Sequence, residues 1–135
     1  MNRKILLAYQ WIIGLADTGT GALLWFAPAL ALRLMGLHAT AEALPWLGYI
    51  GAFVLSVGLA CLYGAYLLHV RSCPERIETV WLLTAFSRAA VALYLLQGIL
   101  AGTFERGWST VVLFDGVCVL VQGFGLARKW LKHAR

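Results

Sequence analysis

Charge is scarce in this sequence. Of its 135 residues only 11 are Lys or Arg and 6 are Asp or Glu, together 13%, where soluble domains carry about 25%. With 61% of the residues hydrophobic, so little charge excludes a soluble globular fold. Cysteine is equally sparse. Cys61, Cys73 and Cys118 form no CxxC pair and have no histidine at zinc spacing, which argues against a metal site. Cys61 and Cys118 fall inside apolar segments and read as small buried hydrophobes. Histidine is limited to His38, His69 and His133, and no two are placed as axial ligands for a membrane-embedded haem. No nucleophile–base pair or phosphate-binding glycine loop is visible, so the sequence carries no catalytic signature. The basic excess gives a net charge of +5. It sits at the ends of apolar segments and forms no stripe with interleaved aromatics, which excludes nucleic acid as a partner.

What the chain has instead is long apolar runs, with a mean hydropathy of +0.80. A bilayer core of ~30 Å needs about 20 apolar residues per helical span. Four such spans read out at residues 5–26, 46–70, 79–101 and 108–127. The expected fold class is therefore all-α: an integral membrane, antiparallel four-helix bundle occupying residues 1–135 as one transmembrane domain, with the lipid bilayer as its partner. The first span stops near Pro28, which cannot continue a helix without losing a hydrogen bond. Pro45 opens the second at a first-turn position. The stretch from Ala29 to Leu37, around Arg33, is expected along the membrane surface, and polar loops fall at residues 71–76 and 102–107. Ala29-Leu30-Ala31 offers a small-x-small cleavage pattern, but the preceding run is too long for a signal peptide and contains Gln10 and Asp17. The first span is expected to be retained.

Lys and Arg near span ends stay on the cytoplasmic side. Arg3, Lys4, Arg71, Arg76, Arg128, Lys129, Lys132 and Arg135 lie on one side, against Arg33 and Arg106 on the other. Both termini are thus expected in the cytoplasm and the protein in the inner (cytoplasmic) membrane. Indole rings favour the headgroup zones, so Trp25, Trp46 and Trp108 are expected at the outer face and Trp81 and Trp130 at the inner one, with Trp11 packed deeper.

Membrane helices associate through close packing and polar contacts, since lipid tails are as apolar as leucine. In the second span Gly48, Ala52, Ser56, Ala60 and Gly64 recur every four residues and read as a smooth ridge. The ridge is either a packing seam inside the bundle or a face for a second copy or a larger partner. Gln10, Gly14, Asp17 and Gly21 share one face of the first span, Thr84 and Arg88 one of the third, and Asp115, Cys118 and Gln122 one of the fourth. Three of these residues are ionisable, and each costs ~2.5–3.5 kcal/mol at mid-membrane on insertion scales. Asp17, Arg88 and Asp115 fall at similar depth. The simplest arrangement sets the planar fork of Arg88 between the two carboxylates, tying three spans together with a formal charge of −1. Gln10, Thr84 and Gln122 extend this polar cluster. It is either a structural staple or a ligand- or proton-handling site. Tyr49, Tyr63, Tyr66 and Tyr94 read as interfacial anchors, with a quinone or sterol head as the alternative use.

Trp25-Phe26-Ala27-Pro28, Leu32-Arg33-Leu34-Met35-Gly36-Leu37, Ser87-Arg88-Ala89 and Leu113-Phe114-Asp115-Gly116 together resemble small bacterial four-helix membrane proteins of the DoxX-like kind. The resemblance implies a compact antiparallel bundle, found in some members as the membrane partner of a redox enzyme that delivers electrons to quinone. It implies no catalytic residue here.

Two kinds of function follow as expectations. One is a non-catalytic subunit or anchor of a larger membrane complex, redox or energy-transducing. The other is a bundle that binds a lipophilic molecule (quinone, sterol or lipid) or relays protons at the Asp17–Arg88–Asp115 cluster. A small transporter working as a homo-oligomer is a third reading. No cofactor is expected beyond a bound lipid or quinone.

Overall fold

A computed structural model of the chain describes residues 2–70 and 74–132. The basic residues Arg71 and Arg135, together with Cys73 and His133, lie outside the described residues. Helix α1 (Arg3–Phe26) starts where the Asn2 side chain accepts the backbone N–H of Lys4 at 3.0 Å. It stops just before Pro28, which then serves as first residue of the short helix α2 (Pro28–Leu34). Gly36, at φ +69°, closes α2, and Leu37 donates its N–H to the Leu32 carbonyl at 2.9 Å. This left-handed cap favours a residue without a Cβ. A 3₁₀ turn at Ala41–Ala43 leads into α3 (Leu44–His69). Helix α4 (Pro74–Leu100) ends in a second left-handed glycine, Gly102, and a turn at Arg106–Trp108 leads into α5 (Ser109–Ala127).

The start of α4 differs from the expected boundary near residue 79. Pro74 is tolerated at the first helical position and Glu75 suits the positive end of the helix dipole, so the polar residues before the apolar run join the helix.

The described residues contain helices and turns and no strand. Three segments, Ala41–His69, Pro74–Leu100 and Arg106–Ala127, are long and apolar enough to cross a membrane. Helix α1 is not among them. At 24 residues it has the length, but Arg3, Lys4, Gln10, Asp17 and its glycines and threonines dilute its apolar character.

The long helices pack as two antiparallel hairpins. Helices α1 and α3 make the closest pairing, α4 and α5 the next, and α3 and α4 bring the hairpins together. The α1–α3 seam is made by glycines seven residues apart. On α1, Gly14 lies against Leu62 and Gly21 against Gly51 and Leu55; on α3, Gly58 lies against Thr18. A Cβ on Gly51 would stand 2.6 Å from the Trp25 nitrogen and 2.8 Å from the Gly21 oxygen, so the two backbones are in contact. At the far end Arg3 donates to the Leu68 carbonyl at 2.8 and 3.1 Å and to that of His69 at 2.8 Å, satisfying the last carbonyls of α3 with a cation.

The four-residue ridge touches α1 at its two ends, Gly48 near the Trp25 carbonyl and Gly64 against the Gln10 amide, but it is not the line of closest approach. Each step of four residues overshoots a full turn by about 40°, so from Gly48 to Gly64 the line winds about 160° around the helix. A seven-residue spacing drifts by only about 20°. The contact therefore follows Gly51, Gly58 and Ala65, all buried, while Ser56 is exposed and returns its hydroxyl to the Phe53 carbonyl at 2.7 Å. Gly48 and Ala52 line an open groove with Trp25, Pro28 and Tyr49, Ala60 is half-buried, and only Gly64 is fully inside.

Two tryptophans also stand elsewhere than expected. Trp81 is fully buried with Leu6, Leu67, Leu68, Ile77 and Leu131, because Gly125 makes room for its six-membered ring. Trp11 is 46% exposed rather than packed.

Alanine substitutions separate seam from surface. Gly51→Ala is expected to destabilise by about 1–3 kcal/mol through overpacking. Gly19→Ala, with nothing within 4 Å of the new carbon, is expected to stabilise by up to about 1 kcal/mol through helix propensity. Thermal unfolding of the purified variants in detergent measures both signs.

Candidate functional site

The faces that α1, α4 and α5 turn inward carry the polar residues of the core. On α1 these are Gln10 and Asp17; on α4, Thr84 and Arg88; on α5, Asp115 and Gln122, all six buried. Arg88, 2% exposed, donates through Nη1 to Asp115 Oδ1 at 2.6 Å and through Nη2 to Asp17 Oδ2. One guanidinium thus holds both carboxylates. Its planar fork allows this where a lysine's point charge would not fix two directions. Phe114 lies with its ring centroid 5.4 Å from the Arg88 Cζ, adding a π face to the cation's surroundings. The three side chains sum to −1.

A second polar layer lies one heptad away on the same three helices. Gln10 precedes Asp17 by seven residues, Trp81 precedes Arg88 by seven, and Gln122 follows Asp115 by seven. Because α5 runs antiparallel to α4, these offsets fall on the same side, about 10 Å along the bundle. Gln122 Nε2 donates to Thr84 Oγ1 at 2.9 Å, and the Thr84 hydroxyl donates to the Val80 carbonyl at 2.8 Å. The Gln10 amide lies against Gly64 of α3, where any side chain would overlap its Nε2. Between the layers Ile13, Cys61 and Cys118 pack together with Tyr9. Both cysteines are free and buried.

The two layers differ in how well they are satisfied. In the charged layer both terminal nitrogens of Arg88 have carboxylate partners, while its Nε has none in the protein. In the amide layer, Gln10 Nε2 and Oε1, Gln122 Oε1 and Trp81 Nε1 have no hydrogen-bond partner in the protein. Each unsatisfied buried group costs about 1–3 kcal/mol. Several together rival the ~5–15 kcal/mol by which a domain is stable.

Other candidates lie elsewhere. Tyr49, Tyr63, Tyr66 and Tyr94 are exposed on the outside of the helices, away from the polar core. The open groove, about 560 Å³, is also lined by Leu44 and Pro45 at the α1–α3 end, and Arg88 is not part of it. Among the described residues no three His, Cys, Asp or Glu side chains stand close enough to hold a metal ion.

Trp81 and Gly64 were not read from the sequence as a donor and a socket for an amide. The shared seven-residue offset of 10/17, 81/88 and 115/122 was available as a signal for the tryptophan. Nothing in the sequence distinguishes Gly64 as the residue facing Gln10. No family model matches the chain, and neither the curated proteins nor the solved structures yield a match.

Removing the central cation should strand two carboxylates. Arg88→Met is expected to lose about 3–5 kcal/mol, and adding Asp17→Asn and Asp115→Asn should recover most of the loss by removing the uncompensated charge. Unfolding in detergent reads both steps. An Arg88→Met protein as stable as wild type would mean that the buried pair does not hold the helices together.

Proposed function

We propose that the chain is a non-catalytic membrane subunit or anchor that docks against a transmembrane helix of a larger partner. In this reading α1 is the fourth span, drawn into the bilayer by the pairing of Asp17 with Arg88, and both termini face the cytoplasm of a cell whose inner membrane holds the protein. The excess of basic residues on that side supports the orientation.

The observation that carries the docking is on α5. Gly116 and Gly123 are seven residues apart, the spacing of Gly14/Gly21 and Gly51/Gly58 in the internal seam, and no atom of another helix lies within 4 Å of a Cβ on either. Leu113 and Leu120 flank them, 69% and 72% exposed. Small residues let helix backbones approach where no hydrophobic drive separates protein from lipid. A helix of a partner seated there would repeat the α1–α3 contact on the outside of the bundle. The resemblance to DoxX-like proteins points the same way, since some of those accompany a redox enzyme.

Native electrophoresis of mildly solubilised membranes tests this. The wild-type chain is expected to migrate with a larger assembly, and Gly116→Leu with Gly123→Leu to release it as a folded monomer, because the new side chains point away from the bundle and meet no other helix of the chain. A wild-type chain that runs alone, or only with copies of itself, would overturn the proposal.

A further inference from the structure

We infer that the core binds ordered water at the amide layer, where water bridges Gln10, Trp81 and Gln122 one heptad from the charged layer of Asp17, Arg88 and Asp115. The three amide-layer residues are each 0% exposed, and four of their polar atoms lack a partner in the protein. Side chains so placed reach neither bulk solvent nor lipid headgroups. The same buried face carries Thr84, whose hydroxyl already joins Gln122 to the α4 backbone.

The chemistry of the unpartnered atoms selects the guest. Gln10 Nε2 and Trp81 Nε1 are donors, while Gln10 Oε1 and Gln122 Oε1 are acceptors. An anion would satisfy only the donors, and a metal cation only the acceptors. A quinone head, which offers carbonyl oxygens alone, would leave both amide oxygens unmet. Water donates and accepts, and a buried water makes about three such bonds. The inference is independent of what docks on α5.

Radiolytic hydroxyl labelling of the intact protein in lipid nanodiscs tests it, because radicals formed from bound water mark the side chains beside that water. Trp81 is expected to be oxidised although bulk solvent cannot touch it. In the Gln10→Leu/Gln122→Leu variant, whose leucines take the amide volume without its polarity, that label is expected to be lost while exposed Trp25 keeps its own. An unlabelled Trp81 in the wild-type protein overturns the inference whether or not the variant folds. So does a Trp81 label that survives both substitutions.

Discussion

One guanidinium in the interior fixes how three helices meet. Arg88 is too deeply enclosed to be left unpaired, since a lone buried charge costs far more than a domain can supply. Its two terminal nitrogens reach one carboxylate from α1 and one from α5. Any rotation of α4 about its axis, or a slide of α1 or α5 by one turn, would break at least one of these pairs. The tie therefore sets rotation and register together, which generic apolar packing does poorly because many registers bury similar surface.

The second cohesive device is different in kind. Between α1 and α3 no polar tie crosses the middle of the seam. Glycines seven residues apart bring the backbones into contact, and Arg3 fastens the end. Helix α1 thus belongs to both systems: Gly14 and Gly21 face α3, whereas Asp17 reaches Arg88. That double duty explains its composition. A helix that must present glycines to one neighbour and a carboxylate to another cannot also be uniformly apolar, and α1 is the long helix that falls short of the apolar character needed to cross a membrane by itself.

The polar face of each helix was legible in the sequence. Gln10 with Asp17, Thr84 with Arg88, and Asp115 with Gln122 could be grouped from a 3.6-residue period alone, and their cost in an apolar setting demanded that they meet. Helix ends at Pro28 and near Pro45 were legible for an equally local reason. Which small residues would carry the seam was not. Glycine and alanine are frequent enough in α3 that a four-residue and a seven-residue line coexist. Only the position of α1 decides between the line through Gly48 and Ala52, which stays half-buried, and the line through Gly51 and Gly58, which is enclosed. Trp81 was misplaced for a related reason. An indole near a span end reads as an interfacial anchor until a facing glycine, here Gly125, opens a socket for it.

On the four-span reading the charged layer also constrains how the chain enters the bilayer. Arg88 is made 71 residues after Asp17, so α1 lacks this cationic partner until α4 arrives, and α5 brings its own aspartate after both. Each isolated carboxylate near mid-membrane costs ~2.5–3.5 kcal/mol on insertion scales. The glycine seam offsets part of that cost earlier, because α3 is the next long helix after α1 and can hold it by backbone contact alone. The order of elements thus matches the order in which stabilising contacts become available: first the close-packed hairpin, which needs no charge, then the ion pairs that only the second hairpin can supply.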